Sequence, residues 1–402
     1  MPEAEMPRVA MPGPGGWAAG TPGGEAPRAV EEAYRWWRAG EPFARATVVD
    51  TWRSSPLPPG TSMLVGPDGS AVGSVSGGCV EGAVYELAQE VIASGTPVLQ
   101  RYGVSDDDAF AVGLTCGGVI DIHVERIDPT GFPEYGEVAS AIRAGTPVAE
   151  VICVAVDGPD PAGRLGRRLV VDPDGTTGSL GSGRLDAAAA QAARGMLAGG
   201  RTGTLRHGYD GRRLGQELTL FVSAHAAPPR LLVFGAVDFA AALARIGGFL
   251  GYRVTVCDAR PVFATRRRFP EAHEVVTDWP HRYLRAEAAA GRLDERTVVC
   301  VLTHDPKFDV PLLEFALRLP LGYIGAMGSR RTHEDRLRRL RERGLGEDRL
   351  ARLASPIGLD LGARTPEETA VSIAAEIVAD RWGGSGTRLT SRTGSIHPAA
   401  GG

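Results

Sequence analysis

Apolar residues recur every three or four positions after Cys79, at Val80, Val84, Leu87 and Val91. This spacing matches the period of an α-helix, so we predict an amphipathic helix from Cys79 to about Ser94. The segment APRAVEEAYRWWRAG has the same period and predicts an earlier helix that ends near Gly40. Apolar runs such as ARATVVDTWR and GGVIDIHVERI predict strands on either side of the Cys79 helix.

A similar succession of elements begins at Pro133. It consists of a helix from Glu134 to Ala144, two strands, the alanine-rich helix RLDAAAAQAARGMLAGG and two further strands. The pattern of the first part of the chain is therefore loosely repeated. We predict one mixed α/β domain over residues 26–226 that contains both parts.

The segment AHAAPPR interrupts this pattern and marks the predicted domain boundary. Beyond it, short apolar strands such as RLLVFGA and YRVTVCDAR alternate with helices, and RTPEETAVSIAAEIVADRWGG predicts a late helix. Such alternation predicts a parallel, doubly wound sheet, so we expect residues 227–383 to form a Rossmann-like domain. The fold class is therefore α/β. Residues 1–25 and 384–402 are predicted to be a disordered lead and tail.

The composition is that of a soluble globular protein, with 402 residues, 43% hydrophobic and 23% charged. A net charge of -4 gives no electrostatic reason to expect nucleic acid or an anionic membrane as a partner. No apolar run approaches the roughly 20 residues that a membrane-spanning helix needs. The opening segment lacks the basic start and apolar core of a signal peptide, so we expect a cytoplasmic protein.

Two of the five cysteines stand next to paired glycines. Cys79 follows Gly77-Gly78 at the predicted start of a helix, and Cys116 precedes Gly117-Gly118 in a loop. Glycines allow left-handed backbone and close approach of a ligand, and a helix N-terminus lowers the pKa of a thiol. Glu81 follows in the first turn, where a carboxylate caps the helix or binds a metal. Packing and chemistry both remain open interpretations of these thiols.

The start of the C-terminal domain has the outline of a mononucleotide-binding unit. Gly235 lies at the turn after the first strand, and Asp258 ends the second strand about 20 residues later, where an acid would bind a ribose hydroxyl. However, Val237 and Asp238 stand where a dinucleotide fingerprint needs glycine. The pattern therefore predicts the fold more strongly than it predicts nucleotide binding.

A third candidate is the segment GYIGAMGSRR, in which glycines precede Ser329 and Arg330 at a predicted helix start. Backbone N–H groups and arginines in this position are typical of an anion cradle. The alternative is a loop followed by a solvated, arginine-rich helix. A Ser-His-Asp hydrolase is not indicated, because no G-x-S-x-G segment precedes a helix.

Several of these segments together resemble motifs of the XdhC/CoxI family, the accessory proteins of xanthine dehydrogenase and CO dehydrogenase. They are GSVSGGCVEGAV, LTCGG, SSPLPPG, CDAR, THDPKFD, GYIGAMGSRR and SPIGLDLGARTPEETAVSIAAEI. The resemblance extends from roughly Ala26 to Gly383. It implies an N-terminal domain with two glycine-flanked cysteines and a C-terminal Rossmann-like domain.

The resemblance also implies a function. Such a protein would bind molybdenum cofactor, protect it during sulfuration and deliver it to an apo molybdenum hydroxylase, with a cysteine desulfurase as sulfur donor and a homodimer as the expected state. The cofactor and its metal would lie at Cys79 and Cys116, with their neighbouring glycines and Glu81. This role is that of a chaperone more than of an enzyme with its own turnover.

Two alternatives remain. The first is an NAD(P)-dependent oxidoreductase that uses the Rossmann-like domain, with Gly235 and Asp258 on the cofactor. Where the family commonly has Gly-Ala-Gly-His, however, this chain has Gly-Ala-Val-Asp, ending at Asp238. The second alternative is a scaffold that bridges a desulfurase and a target enzyme.

Overall fold

The structure, a computed structural model, describes residues 28–52, 57–103, 118–160, 163–212 and 215–393. In these ranges the N-terminal part contains two antiparallel five-stranded sheets, and the C-terminal part contains a parallel six-stranded sheet. The predicted α/β class is confirmed. The predicted disordered lead lies outside the described residues, as do the last nine residues of the tail.

The first half of the N-terminal part is built from two helices and five strands. They are α1 (Arg28–Ala39), β1 (Phe43–Trp52), β2 (Ser62–Val65), β3 (Ala71–Gly73), α2 (Glu81–Ser94), β4 (Val98–Gly103) and β5 (Val119–Ile127). The strands form the first sheet in the order β3-β2-β1-β5-β4. The predicted helix after Cys79 is present and begins two residues later than expected.

The second half repeats this order of elements. It contains α3 (Tyr135–Ala144), β6 (Val148–Val156), β7 (Arg168–Val171), β8 (Thr176–Gly178), α4 (Gly183–Ala198), β9 (Gly203–His207) and β10 (Leu218–His225). The second sheet has the order β8-β7-β6-β10-β9, which matches the first sheet strand for strand. The loose repeat in the sequence is therefore a repeat of sheet topology.

The two sheets pack against each other and carry a helix on each outer face. Ala46 and Val48 of β1 pack against α2, whereas Val49 contacts Ile152 and Phe221 of the second sheet. The second sheet packs its other face against α4. Because successive strand residues point to opposite faces, β1 is buried on both sides and consists largely of apolar residues. The result is a four-layer arrangement of helix, sheet, sheet and helix.

Four buried charges connect the two sheets. The Arg45 guanidinium donates to Glu125 at 2.7 Å and to Glu150 at 2.5 Å, and Arg168 donates to the same two carboxylates. Burial acts to raise the pKa of both glutamates, but the two arginines outweigh it and hold each pKa below its usual value. All four groups are therefore ionised, and their charges balance.

The C-terminal part is a Rossmann-type α/β unit. Its elements are β11 (Arg230–Phe234), α5 (Asp238–Phe249), β12 (Arg253–Asp258), β13 (Glu274–Thr277), α6 (Pro280–Ala289), β14 (Val298–Val301), α7 (Pro306–Ala316), β15 (Tyr323–Ala326), α8 (Arg330–Glu342), α9 (Glu347–Leu350), β16 (Leu353–Ala354) and α10 (Pro366–Trp382). The strand order is β13-β12-β11-β14-β15-β16, the doubly wound order with its switch point between β11 and β14. Helices α5 and α10 cover one face, and α6, α7 and α8 cover the other.

Helix α10 has the ends that its sequence predicts. Thr365 and Glu368 form a capping box, Pro366 is the first helical residue, and Gly383 ends the helix with a φ of 68°. These groups satisfy backbone N–H and C=O groups that a helix end leaves without partners. None of the helices in the described ranges is long and apolar enough to span a bilayer.

Candidate functional site

Cys79 lies in the loop between β3 and α2. Its side chain is half-buried and packs against the core that α2 shares with the first sheet. The preceding Gly77 and Gly78 have φ values of 77° and 116°, a region that L-residues rarely adopt. A Cβ atom on either glycine would meet no atom within 4 Å. The glycines are therefore needed for backbone conformation, and the loop faces open space at these two positions.

The Glu81 carboxylate holds this loop in shape. One oxygen, Oε1, accepts from Ser74 Oγ at 2.5 Å and from the backbone N–H groups of Val75 and Ser76. The other, Oε2, accepts from Ser76 Oγ at 2.6 Å and from the N–H groups of Gly78 and Val80. Partial burial acts to raise the pKa of Glu81, but these hydrogen bonds outweigh it and lower the pKa to about 2. Glu81 is thus ionised and serves as an internal anion for the loop.

Several N–H groups of the loop that precedes α2 are used by the chain itself. Ser76 Oγ accepts from the N–H groups of Cys79 and Val80, both at 3.0 Å, and Ser74 Oγ accepts from the N–H of Gly77. An external phosphate would have to displace these partners. The open positions of the loop are those of Gly77 and Gly78, and the Cys79 side chain beside them is half-buried.

The second half contains a matching segment, residues 179–186, which includes the first turn of α4 and is called the second loop below. Asp186, in the first turn of α4, accepts from Ser179 Oγ at 2.8 Å and from the N–H of Leu180 at 2.7 Å. Asp186 lies seven residues after Ser179, just as Glu81 lies seven residues after Ser74. In this register Arg184 occupies the position of Cys79. The two loops are therefore similar in construction, and the first carries a thiol where the second carries an arginine.

The second predicted cysteine motif is only partly described. Cys116 and Gly117 lie outside the described residues. Gly118 is buried and precedes β5, whose first residue, Val119, pairs with Gly103 at the end of β4. Ile120 belongs to the core cluster against which Cys79 packs. The strand that follows Gly118 and the Cys79 side chain therefore contribute to the same core.

Gly235 lies at the turn between β11 and α5 with a φ of 114°. A Cβ atom there would lie 2.8 Å from Thr303 Cγ2 and 3.0 Å from the Thr303 nitrogen. The packing of this turn against the end of β14 is thus sufficient reason for a glycine. Val237, the residue that departs from the dinucleotide pattern, lies immediately before α5 as its N-cap.

The Asp258 carboxylate is buried and already engaged. It accepts from the Ala236 N–H at 2.7 Å and from the Arg260 backbone and guanidinium at 2.8–2.9 Å. Burial acts to raise the pKa of Asp258, but the Arg260 and Ala236 hydrogen bonds outweigh it and keep the pKa below its usual value. A ribose hydroxyl would have to compete with Arg260 for this carboxylate.

Ser329 and Arg330 lie at the start of α8, directly after β15. Ser329 is the N-cap, and its side chain accepts from the Thr332 N–H at 3.1 Å. They share the carboxyl edge of the parallel sheet with Gly235 and Asp258. Those predicted binding residues that the structure describes therefore form two separate groups, one in the first sheet around Cys79 and one at the Rossmann carboxyl edge.

The remaining described cysteines are structural. Cys153, Cys257 and Cys300 are each at most 1% exposed. Burial raises the pKa of Cys153 to about 11 and raises the pKa of Cys257 and Cys300 further. Within the described ranges, no group of three or more His, Cys, Asp or Glu side chains is arranged to bind a metal ion.

Sequence reasoning missed the buried charges between the two sheets. The sequence does contain a signal for them, because several apolar strands each include one charged residue. Examples are Arg45 in ARATVV and Glu150 in VAEVICV. A buried charge needs a partner, so isolated charges at inward positions indicate that they meet in space. The sequence also left open whether Glu81 caps the helix or binds a metal; in the structure its carboxylate accepts from the loop that precedes α2.

Comparisons with known families agree with this architecture. A model described as the XdhC Rossmann domain matches residues 231–377. A model described as the XdhC and CoxI family matches residues 36–103 and again residues 141–208, which fall in the first and second halves of the N-terminal part.

Individual proteins are similar over most of the chain. A Bacillus subtilis protein described as a probable xanthine dehydrogenase subunit is 30% identical over 84% of this chain and 92% of its own length. The Escherichia coli molybdenum cofactor insertion chaperone PaoD is 26% identical over 85% of each chain. A crystal structure described as a xanthine dehydrogenase from Bacillus halodurans matches with a TM-score of 0.64 and 26% identity, over 90% of this chain and 97% of its own. Its motifs, its two-part architecture and these similarities show that the chain belongs to the XdhC and CoxI family.

Proposed function

We propose that this protein is a maturation factor that binds molybdenum cofactor and supports its insertion into a molybdenum hydroxylase of the xanthine dehydrogenase or CO dehydrogenase type. The names of two relatives, a molybdenum cofactor insertion chaperone and a probable xanthine dehydrogenase subunit, support this role. In the structure, the observation that carries the proposal is a half-buried cysteine, Cys79, directly after two glycines with open space around them, on a loop held by Glu81.

The chemistry of this loop fits the proposed cargo. Molybdenum and the dithiolene sulfurs of its cofactor are soft, and thiolates are suitable neighbours for soft metals. Gly77 and Gly78 leave room for a bulky ligand to reach the thiol. Cys116, outside the described residues, is the proposed second thiol. A cargo held by one or two thiols at a loop is released more readily than one enclosed by four ligands, as delivery requires.

Each residue of the loop has a distinct part in this proposal. Cys79 contacts the cargo, the two glycines give the loop its conformation, and Glu81 positions the thiol by binding the backbone around it. The N–H groups of Gly78, Cys79 and Val80 are occupied by Glu81 and Ser76, so the phosphate of the cofactor is expected to lie away from these three groups.

The proposal also includes partners. The receiver would be an apo molybdenum hydroxylase, and a cysteine desulfurase would supply sulfur for the exchange of the terminal oxo ligand while the cofactor is bound. We propose a homodimer in the cytoplasm as the working state. Co-purification of the tagged chain with each candidate partner, followed by light scattering of the purified protein, tests these points.

The alternative of an NAD(P)-dependent oxidoreductase finds less support at the carboxyl edge of the Rossmann sheet. Asp258 is bound by Arg260, and Gly235 has a packing role against Thr303. Titration with NADH, followed by its fluorescence, distinguishes the two functions. Micromolar binding that is lost in Asp258→Ala would favour the oxidoreductase.

The proposed function is tested by the pterin content of the purified protein. The full chain is expressed in a host that makes molybdopterin and is then oxidised to release the fluorescent pterin. We expect Cys79→Ala to lower the pterin content about tenfold, which corresponds to ~1.4 kcal/mol of binding free energy. Arg184→Ala, at the matching position of the second loop, is the control and should retain the wild-type content.

Two results would overturn the proposal. One is a wild-type preparation without pterin even after cofactor is supplied. The other is an equal pterin content in the wild type and in the double variant Cys79→Ala/Cys116→Ala, which would assign both thiols to packing.

A further inference from the structure

Helix α10 has apolar side chains on both of its sides. Ile373 and Ile377 are buried in the core that α10 shares with α5 and the Rossmann sheet. On the opposite side, Val371 is 50% exposed, Val378 is 42% exposed and Trp382 is 63% exposed. Val378 follows Val371 by two helical turns and precedes Trp382 by one, so the three side chains lie along one line of the helix. A helix that is apolar all round is normally covered all round, which indicates that the outward side of α10 has a partner.

Other helices of the same domain differ in this respect. Helix α5 packs beside α10, and its exposed positions are Asp238, Arg245 and, at its last residue, Phe249. Helix α8 is largely charged, and Asp335 and Arg338 form an ion pair on its surface. Single exposed apolar residues are common in soluble proteins and need no explanation. The line of apolar residues on α10 is therefore unlike the outward sides of α5 and α8.

The outward side of α10 also has a small residue near its middle and an acid at its start. Ala375 lies between Val371 and Val378, and Glu367 lies in the first turn on the same side. We call the residues Glu367, Val371, Ala375, Val378 and Trp382 the α10 face. Because the distance between two packed helices depends on the side chains at their contact, a small residue in the middle allows a second helix to approach closely.

The two ends of the α10 face carry opposite charges. Glu367 lies in the first turn of the helix, and Arg381 lies in the last. Neither forms an ion pair with a residue that the structure describes. The Arg381 guanidinium lies over the Trp382 ring, 4.9 Å from its centre. Arg381 also lines the outer end of a cavity of about 870 Å³ between the two facing sheets and the Rossmann domain, whose inner wall includes Arg45 and Glu150.

A second copy of this chain is complementary to the α10 face. In a contact about a two-fold axis, a residue that contacts a second position in the other copy is itself contacted by that position. Two antiparallel α10 helices that cross just before Ala375 place Val371 of each copy against Val378 of the other, because these valines are equally far from the crossing. Glu367 is about as far from the crossing on one side as Arg381 is on the other, so each acid then meets an arginine.

We propose that the α10 face is the contact between two copies of this chain, with the two helices antiparallel. Val371 and Val378 form its apolar centre, and a pair between Glu367 and Arg381 lies at each end. Opposite charges across an interface fix its register and disfavour other arrangements. This inference rests on the homodimer proposed above, for which it names the surface, and Cys79 takes no part in it.

The test is the dissociation constant of the dimer, measured by sedimentation equilibrium of the full chain at low salt. Glu367→Arg and Arg381→Glu each place like charges at both ends of the contact and should each raise this constant about tenfold. The double variant Glu367→Arg/Arg381→Glu exchanges the two charges within each pair and should return the constant to the wild-type value. Arg245→Glu, an equal charge reversal at an exposed position of α5, is the control and should have no effect.

A second variant tests the apolar centre. Val378→Glu should raise the dissociation constant about a hundredfold, because it buries a charge against Val371 of the other copy. A dimer that survives Val378→Glu, or a double charge variant as weak as the single ones, would overturn the proposed face and leave the homodimer standing. A wild type that remains monomeric at every concentration would overturn both. Pterin content of the same preparations reports cofactor binding separately, so its loss would count against the proposed function and not against the α10 face.

Discussion

Arg45 of the first sheet and Glu150 of the second form a buried ion pair at 2.5 Å, although 105 residues separate them in the chain. Arg168 and Glu125 complete the same cluster from the neighbouring strands. The pair joins the two halves of the N-terminal part and forms the inner wall of the cavity. Its removal would therefore affect both the stability of the protein and the shape of that cavity.

Arg45→Met should destabilise the protein strongly, because it leaves two buried carboxylates with one arginine. Loss of one partner from a buried ion pair costs about 3–5 kcal/mol. Arg143→Met, which removes an exposed ion pair with Glu31, is the control and should cost less than about 1 kcal/mol. Urea unfolding measures both values, and equal effects would contradict the structural role of Arg45.

Glu81→Gln should destabilise the Cys79 loop by about 1–3 kcal/mol, since a half-buried charge that accepts several hydrogen bonds is lost. Asp186→Asn should have a similar effect on stability through the second loop. Their effects on cofactor should differ, because the second loop has Arg184 where the first has Cys79. We expect Glu81→Gln to lower the pterin content and Asp186→Asn to leave it unchanged. An equal loss of pterin in these two variants would refute a positioning role for Glu81.

The stability supplied by Glu81 should depend on pH. Its pKa is about 2 in the folded protein, against 4.5 for an unperturbed glutamate, so the ionised form favours the folded state. This contribution is complete above pH 4.5 and is lost as the pH falls toward 2. The difference in unfolding free energy between wild type and Glu81→Gln should shrink over this interval. A constant difference would show that the carboxylate charge does not stabilise the loop.

Gly78→Ala should destabilise the protein by about 1–2 kcal/mol, because its φ of 116° is strained for any L-residue. A Cβ atom there meets no neighbour, so the cost is one of backbone conformation. Gly82→Ala is the matched control, since Gly82 lies in α2 with equal space around it. Gly82→Ala should stabilise the helix by about 0.5–1 kcal/mol. If Gly78→Ala and Gly82→Ala changed the free energy of unfolding in the same direction, the assigned loop conformation would be contradicted.

Alkylation of the native protein should modify Cys79 before the buried cysteines. Cys79 is half-buried, whereas burial raises the pKa of Cys153, Cys257 and Cys300 and keeps alkylating reagents away. Mass spectrometry after brief treatment with iodoacetamide maps the labelled positions. Fast labelling of Cys300, the most buried thiol, would show that the Rossmann core opens in solution.

Much of the architecture follows from local sequence. A late helix was predicted in RTPEETAVSIAAEIVADRWGG, and the structure confirms it as α10, which begins with the Thr365–Glu368 capping box. The parallel sheet was predicted from the alternation of short apolar strands and helices and is confirmed in its doubly wound order. These features depend on residues within a few positions of each other, so their signals survive in a single sequence.

The site was predicted less completely. The glycine-flanked thiol at Cys79 was recognised from its neighbours, but the six hydrogen bonds of Glu81 depend on the loop conformation that they themselves maintain. Likewise, Gly235 suggested a nucleotide turn, and its contact with Thr303 supplies a packing reason that the sequence does not reveal. In both cases the sequence indicated what kind of residue stands at the position but did not show which residues it contacts.

The sequence by itself determined the helices, the strands, the loose repeat and the glycine–cysteine loop, because each is set by local periodicity and backbone preference. Only the tertiary structure decided that the two sheets face each other, that Arg45 meets Glu150 across 105 residues, and that a cavity remains beside them. The physical reason is that a buried charge is tolerated only with a partner, and the position of that partner depends on how whole sheets pack.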